Sequence, residues 1–370
     1  MRTYTVARCR DDLRDIGRVF TDPVSRIPCF DWSLSGICFR YIGRVLTGHF
    51  LAECGEEPTS PFAAPDAKKW TVWPRVAVYL DDEKTPHRVF AVDRPDKDEI
   101  LFSSDRKEDH VIRVVKLTEA LKTGVGVDSF FGDGQLLPAR VKKRPLIEVV
   151  GDSISVGYGN LAGPETLGFH SEHQDPTQAY AALAAEELGF DLSIIGYSGI
   201  CAAFQGWNRK PYSMLDIYPY TNRLRQREGE PEAWDFRHHR PDYVLMNLGT
   251  NDASAIRFAA ENGAAGGEAI TEDGFDAAYY DLIAMIREKN GLYARIICAL
   301  GDADYYLFDN IRRAAERFIR DTGDTKVYVL KLQNNLPTDA RGVANHPGPD
   351  ANRRMAAQLA SFIRNIESQR

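Results

Sequence analysis

Four short blocks, far apart in the chain, together hold the groups that a serine hydrolase needs. They are centred on Ser153, Gly199, Asn251 and His346. A serine hydroxyl becomes a good nucleophile when a base takes its proton, and an acyl-transfer intermediate needs donors directed at its developing oxyanion. His346 can be the base, while the backbone amides of Ser153 and Gly199 and the side-chain amide of Asn251 can be the donors. The residue types and their order predict ester hydrolysis through an acyl-enzyme on Ser153.

Strand-like runs precede the first three blocks. Apolar and β-branched residues fill most of positions 146–150, 192–196 and 243–248, and glycines in or beside the blocks permit tight turns. Because the carboxyl ends of parallel strands meet at one edge of a sheet, we expect these blocks to lie close together. The His346 block directly precedes a helical stretch that runs from Asp350 to the C-terminus.

The longer sequence segments around these blocks resemble the SGNH branch of the GDSL hydrolases and, within it, carbohydrate esterase family two. The resemblance is carried by residues 148–159, 234–236 and 247–252, and residues 74–81 and 110–119 resemble that family's N-terminal β-sandwich. It implies a flavodoxin-like, parallel-sheet α/β/α esterase domain preceded by an all-β, jelly-roll-like sandwich. It also implies deacetylation of plant polysaccharides of the xylan or mannan type, with no cofactor and no metal.

One departure from the family concerns the group that orients the base. Many SGNH hydrolases place an aspartate two or three residues before the histidine, whereas Ala344 and Val343 occupy those positions here. Some members of the esterase family resemble this chain and use a Ser-His dyad, in which a main-chain carbonyl orients the histidine. Asp339 and Asp350 are the nearest carboxylates. Asp350 follows a proline and precedes a helical pattern, so we expect it to cap that helix.

Length and patterning predict two domains. A chain of 370 residues with 44% hydrophobic and 27% charged residues is typical of a globular protein with about two cores. Period-two alternation between residues 31 and 141 predicts an antiparallel sandwich, and strands alternating with helices from residue 146 predict a parallel sheet. We place a β-sandwich domain over residues 1–143 and an esterase domain over residues 144–370.

Further segments complete the predicted second domain. Helical periodicity covers residues 177–188, 275–289, 310–320 and 351–366, and strand-like runs cover residues 294–300 and 326–330. The Gly- and Ala-rich segment 253–274 predicts a long loop, of the kind that often shapes substrate sites at the edge of such sheets.

Charge and composition indicate which classes of binding partner and which cellular location to expect. The net charge of −7 gives no reason to expect a nucleic acid or an anionic membrane, since both favour basic clusters. The first ten residues lack the apolar core of a signal peptide, so we expect a soluble, cytoplasmic protein; a chain trimmed of its leader would instead be secreted. The cysteines show no zinc-like spacing and are expected to be reduced thiols.

Other polar or aromatic residues admit both a functional and a structural interpretation. The segment His170–Asp175 holds two histidines and two acids and could ligate a metal, but a polar loop explains it without one. Trp207 could be a platform on which a substrate sugar ring stacks, or a core residue. Asp152 and Asp252, which flank the serine and the asparagine, are expected to hold their turns rather than to react.

Two classes of function stay open at this point. The first is an O-acetyl esterase acting on acetylated oligosaccharides or polysaccharides. The second is a catalytically degenerate carbohydrate-binding protein, which the missing aspartate keeps in play, although the complete and ordered set of four blocks favours the enzyme. Within enzymes, a lipid or thioester SGNH hydrolase is the alternative, because one fold hosts many esters. The sequence shows no apolar lid that would favour a lipid.

Overall fold

The computed structural model describes residues 1–58, 68–166, 168–204, 211–225, 230–262, 271–301, 305–333 and 336–369. The chain divides into two units. The first is Met1–Lys143 with Leu167–Gln174, and the second is Arg144–Thr166 with Asp175–Arg370. The segment Leu167–Gln174 therefore belongs to the first unit, although it lies within the sequence of the second.

The first unit is a β structure. Its strands are β1 (Arg2–Thr5), β2 (Arg14–Ile16), β3 (Phe20–Thr21), β4 (Pro28–Cys29), β5 (Gly36–Glu53), β6 (Gly55–Pro58), β7 (Lys69–Val72), β8 (Arg75–Leu80), β9 (Arg88–Ala91), β10 (Asp96–Lys116), β11 (Gly124–Gly132) and β12 (Gln135–Leu137), with one short helix, α1 (Val6–Cys9). Among the described residues, ten strands form one antiparallel sheet. Its main path is β3-β4-β11-β5-β10-β8-β9, and β6 pairs with β7 separately.

The core of this unit follows from the period-two pattern. Ile37, Phe39 and Tyr41 alternate along β5 and are almost fully buried, as the sequence predicts. Alternate residues of a strand point to the same face, so these side chains reach one apolar cluster together with Ile112 and Val114 of β10.

The second unit is an α/β structure. Its strands are β13 (Leu146–Gly151), β14 (Asp191–Gly196), β15 (Tyr243–Asn247), β16 (Arg295–Leu300) and β17 (Val327–Lys331); its helices are α2 (Tyr180–Leu188), α3 (Met214–Ile217), α4 (Thr250–Asn262), α5 (Glu272–Asn290), α6 (Phe308–Thr322) and α7 (Pro349–Ser368). Within the described residues the strands form one parallel sheet in the order β14-β13-β15-β16-β17. In chain order this is 2-1-3-4-5, the flavodoxin-like arrangement. The predicted fold class is confirmed.

The prediction for the segment after the third block is wrong. The predicted loop over residues 253–274 begins as a helix, because α4 extends to Asn262; residues 263–270 lie outside the described residues. Alanine is the strongest helix former, and Ala253 and Ala255 are buried. The combined Gly and Ala content therefore misled the prediction, since the glycines of this segment begin only at Gly263.

The start of the last helix also differs from expectation. Gly348 occupies the cap position and α7 begins at Pro349, so Asp350 lies in the first turn and is not the cap. A proline fits the first helical position, because its φ is already helical and it has no N–H to satisfy. Among the described residues, no helix combines the length and the apolar character that a membrane span requires.

Candidate active site

Ser153 lies on the turn that follows β13, at the carboxyl edge of the parallel sheet. The carboxylate of Asp152 accepts the backbone N–H of Ile154 at 3.0 Å. The carbonyl of Ser153 accepts the backbone N–H of Tyr158, also at 3.0 Å. The predicted structural role of Asp152 is confirmed, and these short-range bonds fix the turn over residues 152–158, which we call the serine turn.

His346 lies in a loop over residues 340–348, which we call the histidine loop, that packs against the glycines after Ser153. The backbone N–H of Val343 donates to the carbonyl of Gly159 at 3.0 Å. Gly159 has a φ of 60°, and a Cβ there would lie 2.4 Å from the Cβ of Val343. Glycine is therefore required at position 159, for its left-handed backbone and for the close approach of the histidine loop.

The histidine loop contains two consecutive residues with left-handed backbones. Ala344 has a φ of 52° and Asn345 a φ of 62°. Such conformations are uncommon for residues with a side chain, and alanine has no side-chain hydrogen bond to offset the cost. This tight turn brings the carbonyl of Val343 back to His346, whose own backbone N–H donates to it at 3.1 Å.

The imidazole of His346 joins the histidine loop to the serine turn. Its Nε2 lies 2.8 Å from the Oγ of Ser153, and its Nδ1 lies 2.8 Å from the carbonyl oxygen of Val343. A carbonyl can only accept, so in the neutral ring the proton resides on Nδ1 and Nε2 is left to accept from the serine hydroxyl. This is the tautomer that a general base needs.

The two nearest carboxylates are engaged with arginines. Both carboxylate oxygens of Asp339 accept hydrogen bonds from Arg354, which lowers the pKa of Asp339 below its ordinary value. Asp350 accepts a hydrogen bond from Arg353 at 2.5 Å. The Nδ1 of His346 thus faces a main-chain carbonyl at the point where a triad would place a carboxylate.

Asn251 connects the other blocks. It is the second residue of α4, which follows β15, while Gly199 lies in the turn after β14 with a φ of 86°. The Nδ2 of Asn251 donates to the carbonyl of Ile200 at 3.0 Å and to the carboxylate of Asp152 at 3.3 Å. The structure therefore brings the first three blocks together at the topological switch point between β13 and β15, where ligands bind in such sheets.

Asp252 is fully buried beside this site. Its carboxylate accepts the backbone N–H groups of Ala202 and Ala203, at 2.9 and 3.0 Å. Burial raises its pKa to about 6 in spite of these hydrogen bonds, which act in the opposite direction. Asp252 holds the chain that follows the second block, whereas the sequence analysis assigned it to its own turn.

The remaining candidates are Trp207 and the segment His170–Asp175. Trp207 is outside the described residues. In the segment His170–Asp175, the ring of His170 packs on Trp70 of the first unit with ring centroids 4.1 Å apart. Asp175 binds the backbone N–H of Thr177 at 2.9 Å. Within the parts of the chain that the structure describes, no group of three or more His, Cys, Asp or Glu side chains could hold a metal ion.

Sequence reasoning missed two residues of the site. The ring of Tyr158 packs on the imidazole of His346, with centroids 4.7 Å apart. Asn352 is buried and donates to the carbonyl of Pro347 at 3.0 Å. The signal for Asn352 was present in the sequence, because it is a polar residue three positions before Met355 on a helical face that is otherwise apolar.

Residues 149–369 match the GDSL-like lipase/acylhydrolase family. The chain belongs to that family. The cellulase/esterase CelE of Acetivibrio thermocellus is 30% identical over 261 residues, which are 69% of this GDSL-family chain and 30% of CelE. An acetylxylan esterase/glucomannan deacetylase of Cellvibrio japonicus is 29% identical over 178 residues, 47% of each protein. The GDSL-family chain thus spans less than half the length of these two relatives.

Solved structures extend the similarity to both domains of this GDSL-family protein. A family two carbohydrate esterase from Clostridium thermocellum, in complex with cellohexaose, matches with a TM-score of 0.77 and 26% identity over 96% of this chain and 99% of that one. The acetyl xylan esterase Est2A from Butyrivibrio proteoclasticus matches in fold, with a TM-score of 0.81 and 19% identity over the whole of both chains. The predicted resemblance to SGNH/GDSL hydrolases and to family two esterases is confirmed.

Proposed function

We propose that this protein is a serine esterase that removes O-acetyl groups from acetylated oligosaccharides or polysaccharides of the xylan or mannan type. The observation that carries the proposal is the 2.8 Å approach of His346 Nε2 to Ser153 Oγ, with Nδ1 held by Val343. The substrate class is supported by the acetylxylan esterase/glucomannan deacetylase among its relatives and by the cellohexaose in a related esterase structure.

The first half of the reaction transfers the acetyl group to Ser153. As Oγ bonds to the acetyl carbonyl carbon, its proton passes to Nε2 of His346. The carbonyl oxygen becomes an oxyanion in the tetrahedral intermediate. When the bond from the acetyl carbon to the sugar oxygen breaks, Nε2 returns the proton to that oxygen, which leaves as a hydroxyl. The products are the deacetylated sugar and an acetyl-enzyme.

The second half repeats the steps with water. Nε2 takes one proton from a water molecule whose oxygen attacks the acetyl carbon, and it then protonates Oγ of Ser153 as acetic acid leaves and ionises in solution. The free enzyme is restored with no net change in its protons, and no cofactor is needed to balance the reaction.

The oxyanion is stabilised by the backbone amides of Ser153 and Gly199 and by the side chain of Asn251. Both hydrogens of Asn251 Nδ2 have acceptors in the structure, and the contact to Asp152 is the longer of the two. The oxyanion of the intermediate carries a localised negative charge, whereas the charge of the Asp152 carboxylate is shared between two oxygens. The oxyanion is therefore a stronger hydrogen-bond acceptor than this carboxylate, which lies 3.3 Å away. We therefore expect this N–H to turn to the oxyanion during reaction.

The experiment uses the full chain. Hydrolysis of a small aryl acetate is measured first, and acetate release from acetylated xylan and acetylated mannan second. The variant Ser153→Ala is compared with Ser361→Ala, a matched change at an exposed position of α7. We expect Ser153→Ala to abolish acetate release and Ser361→Ala to retain it.

Other outcomes point to the alternatives. Hydrolysis of long-chain esters or of thioesters, without acetate release from either polysaccharide, would favour a lipid or thioester hydrolase. Binding of oligosaccharide with no hydrolysis by the parent chain would favour a carbohydrate-binding protein that has lost catalysis. Acetate release that persists in Ser153→Ala would contradict the assignment of the nucleophile.

A further inference from the structure

The two members of the proposed dyad, Ser153 and His346, lie near opposite ends of the sequence of the second unit. Ser153 and His346 are 193 residues apart in the chain, yet their reacting atoms are at hydrogen-bond distance. An imidazole oriented by a main-chain carbonyl depends on the placement of its whole loop. Two buried residues outside both blocks, Tyr180 and Asn352, connect the surroundings of the serine to those of the histidine.

Asn352 holds the histidine loop. Its Nδ2 donates to the carbonyls of Pro347 and Gly348, at 3.0 and 3.1 Å, directly after His346. Its Oδ1 accepts the backbone N–H of Tyr180, the first residue of α2, at 2.9 Å. The residue is 1% exposed, so each of these groups exchanges a hydrogen bond to water for one inside the protein.

Tyr180 continues the connection to the serine turn. Its hydroxyl lies 3.1 Å from the Oγ of Ser155, two residues after the nucleophile. Complete burial raises the pKa of Tyr180, so its hydroxyl stays protonated and able to donate. Glycine is required at position 151, because a Cβ there would lie 2.2 Å from Ser155 Oγ. The serine turn thus contacts the hydroxyl of Tyr180 directly, through Ser155.

We propose that Tyr180 and Asn352 form a link of positioning residues, running from Ser155 to Pro347 and Gly348, that sets the distance between Ser153 Oγ and His346 Nε2. The proposal rests on the proposed esterase function. It assigns to buried side chains the placement that an aspartate supplies in a triad. Positioning of reacting groups is sensitive, since a misplacement of about 1 Å can cost about 10²-fold in rate.

The test compares matched variants of the full chain on a small aryl acetate. Asn352→Ala breaks the bonds to the histidine loop, and Tyr180→Phe removes only the hydroxyl. Asn310→Ala and Tyr218→Phe are the controls, because both are buried in the same unit and lose a hydrogen bond to Glu272 and Glu148 respectively. All variants are melted thermally, so that kinetics are taken only where the chain is folded.

For the link, we expect kcat to fall by about 10- to 10²-fold in Asn352→Ala and by about threefold to tenfold in Tyr180→Phe, with KM within about twofold. The controls lower the melting temperature but keep kcat within about twofold. A second measurement repeats the kinetics with each substitution added to His346→Ala. A residue that acts through the histidine loses its effect when the imidazole is gone, whereas a general structural defect does not.

Three results would overturn the proposal. The first is an unchanged kcat in folded Asn352→Ala and Tyr180→Phe. The second is an equal loss in the two control variants. The third is a further loss, of the same size, when Asn352→Ala is added to His346→Ala. If Asn352→Ala does not fold, Tyr180→Phe decides alone. A parent chain with no esterase activity would contradict the proposed function itself, while an active parent with indifferent variants would contradict the link alone.

Discussion

The serine turn and the histidine loop each bring one reactive group to the same place, but they are held in different ways. Ser153 follows β13 directly, and its turn is closed by bonds to residues within five positions. The histidine loop is held by Gly159 and, through Asn352, by the backbone of Tyr180, which both lie far from it in sequence, and two of its own residues have left-handed backbones. The proposed nucleophile is therefore placed largely by its neighbours in sequence, and the proposed base largely by distant parts of the second unit.

This difference predicts which part of the site is more sensitive to substitutions elsewhere in the second unit. A turn closed mainly by local bonds is less sensitive to changes elsewhere in the unit than a loop fixed by distant contacts, which transmits such changes to the imidazole. Substitutions at the proposed base, the proposed oxyanion donor, the two nearby carboxylates and the buried acid beside the site test this difference.

The largest effect is expected from His346→Ala. Without the imidazole, Ser153 has no base and the leaving sugar oxygen has no acid. We expect kcat on an aryl acetate to fall by at least about 10⁴-fold, as in serine hydrolases that lose the equivalent group. His238→Ala, at an exposed position, is the control. A loss smaller than about tenfold in the folded variant would remove His346 from the mechanism.

Asn251→Ala is expected to have the next largest effect. Deleting one oxyanion donor typically lowers kcat by about 10²–10³-fold with a smaller change in KM. Steady-state kinetics on the aryl acetate measure it, with the exposed Asn365→Ala of α7 as control. If turnover is unchanged, Asn251 serves only to join Ile200 and Asp152.

The carboxylates beside the histidine loop are expected to matter little for catalysis. Asp339→Asn loses the ion pair with Arg354, and Asp350→Asn loses the one with Arg353. We expect each variant to keep kcat within about tenfold of the parent. Loss of a true orienting aspartate costs about 10⁴-fold in a serine protease, so the two cases are well separated. A loss of about 10³-fold or more in a folded variant would identify that aspartate as a third member.

The smallest effect is a pH dependence of stability from Asp252. Its pKa in the folded protein, about 6, exceeds the ordinary value of 3.8. The folded state therefore holds this proton more tightly, and the resulting stabilisation is fully present below about pH 4 and lost as the pH rises to about 6. Chemical denaturation of the parent and of Asp252→Asn at several pH values measures it. The free-energy advantage of the parent over the variant should shrink between pH 4 and 6; a constant difference would contradict the burial argument.

The sequence predicted the parts of the site that are local. Ser153, Gly199 and Asn251 follow strands, and strand ends are visible as apolar runs that stop at glycines. It also pointed to a main-chain carbonyl for His346 through the resemblance to dyad-type esterases. It could not supply the contacts that hold the histidine loop, because Gly159 and Tyr180 lie far from that loop in sequence, and Asn352, which is close to it, is joined to the backbone of Tyr180. The helix over Thr250–Asn262 was missed because its alanines were grouped with the glycines that follow.

The most direct test of the account is the covalent labelling of Ser153. An aryl phosphonate that reacts irreversibly with activated serines is incubated with the full chain, and the labelled residue is found by peptide mass spectrometry while acetate release is followed. An acyl-enzyme mechanism predicts one label per chain on Ser153, loss of activity in proportion to labelling, and much slower labelling of His346→Ala. A label on another side chain, or full activity after Ser153 is completely labelled, would contradict it.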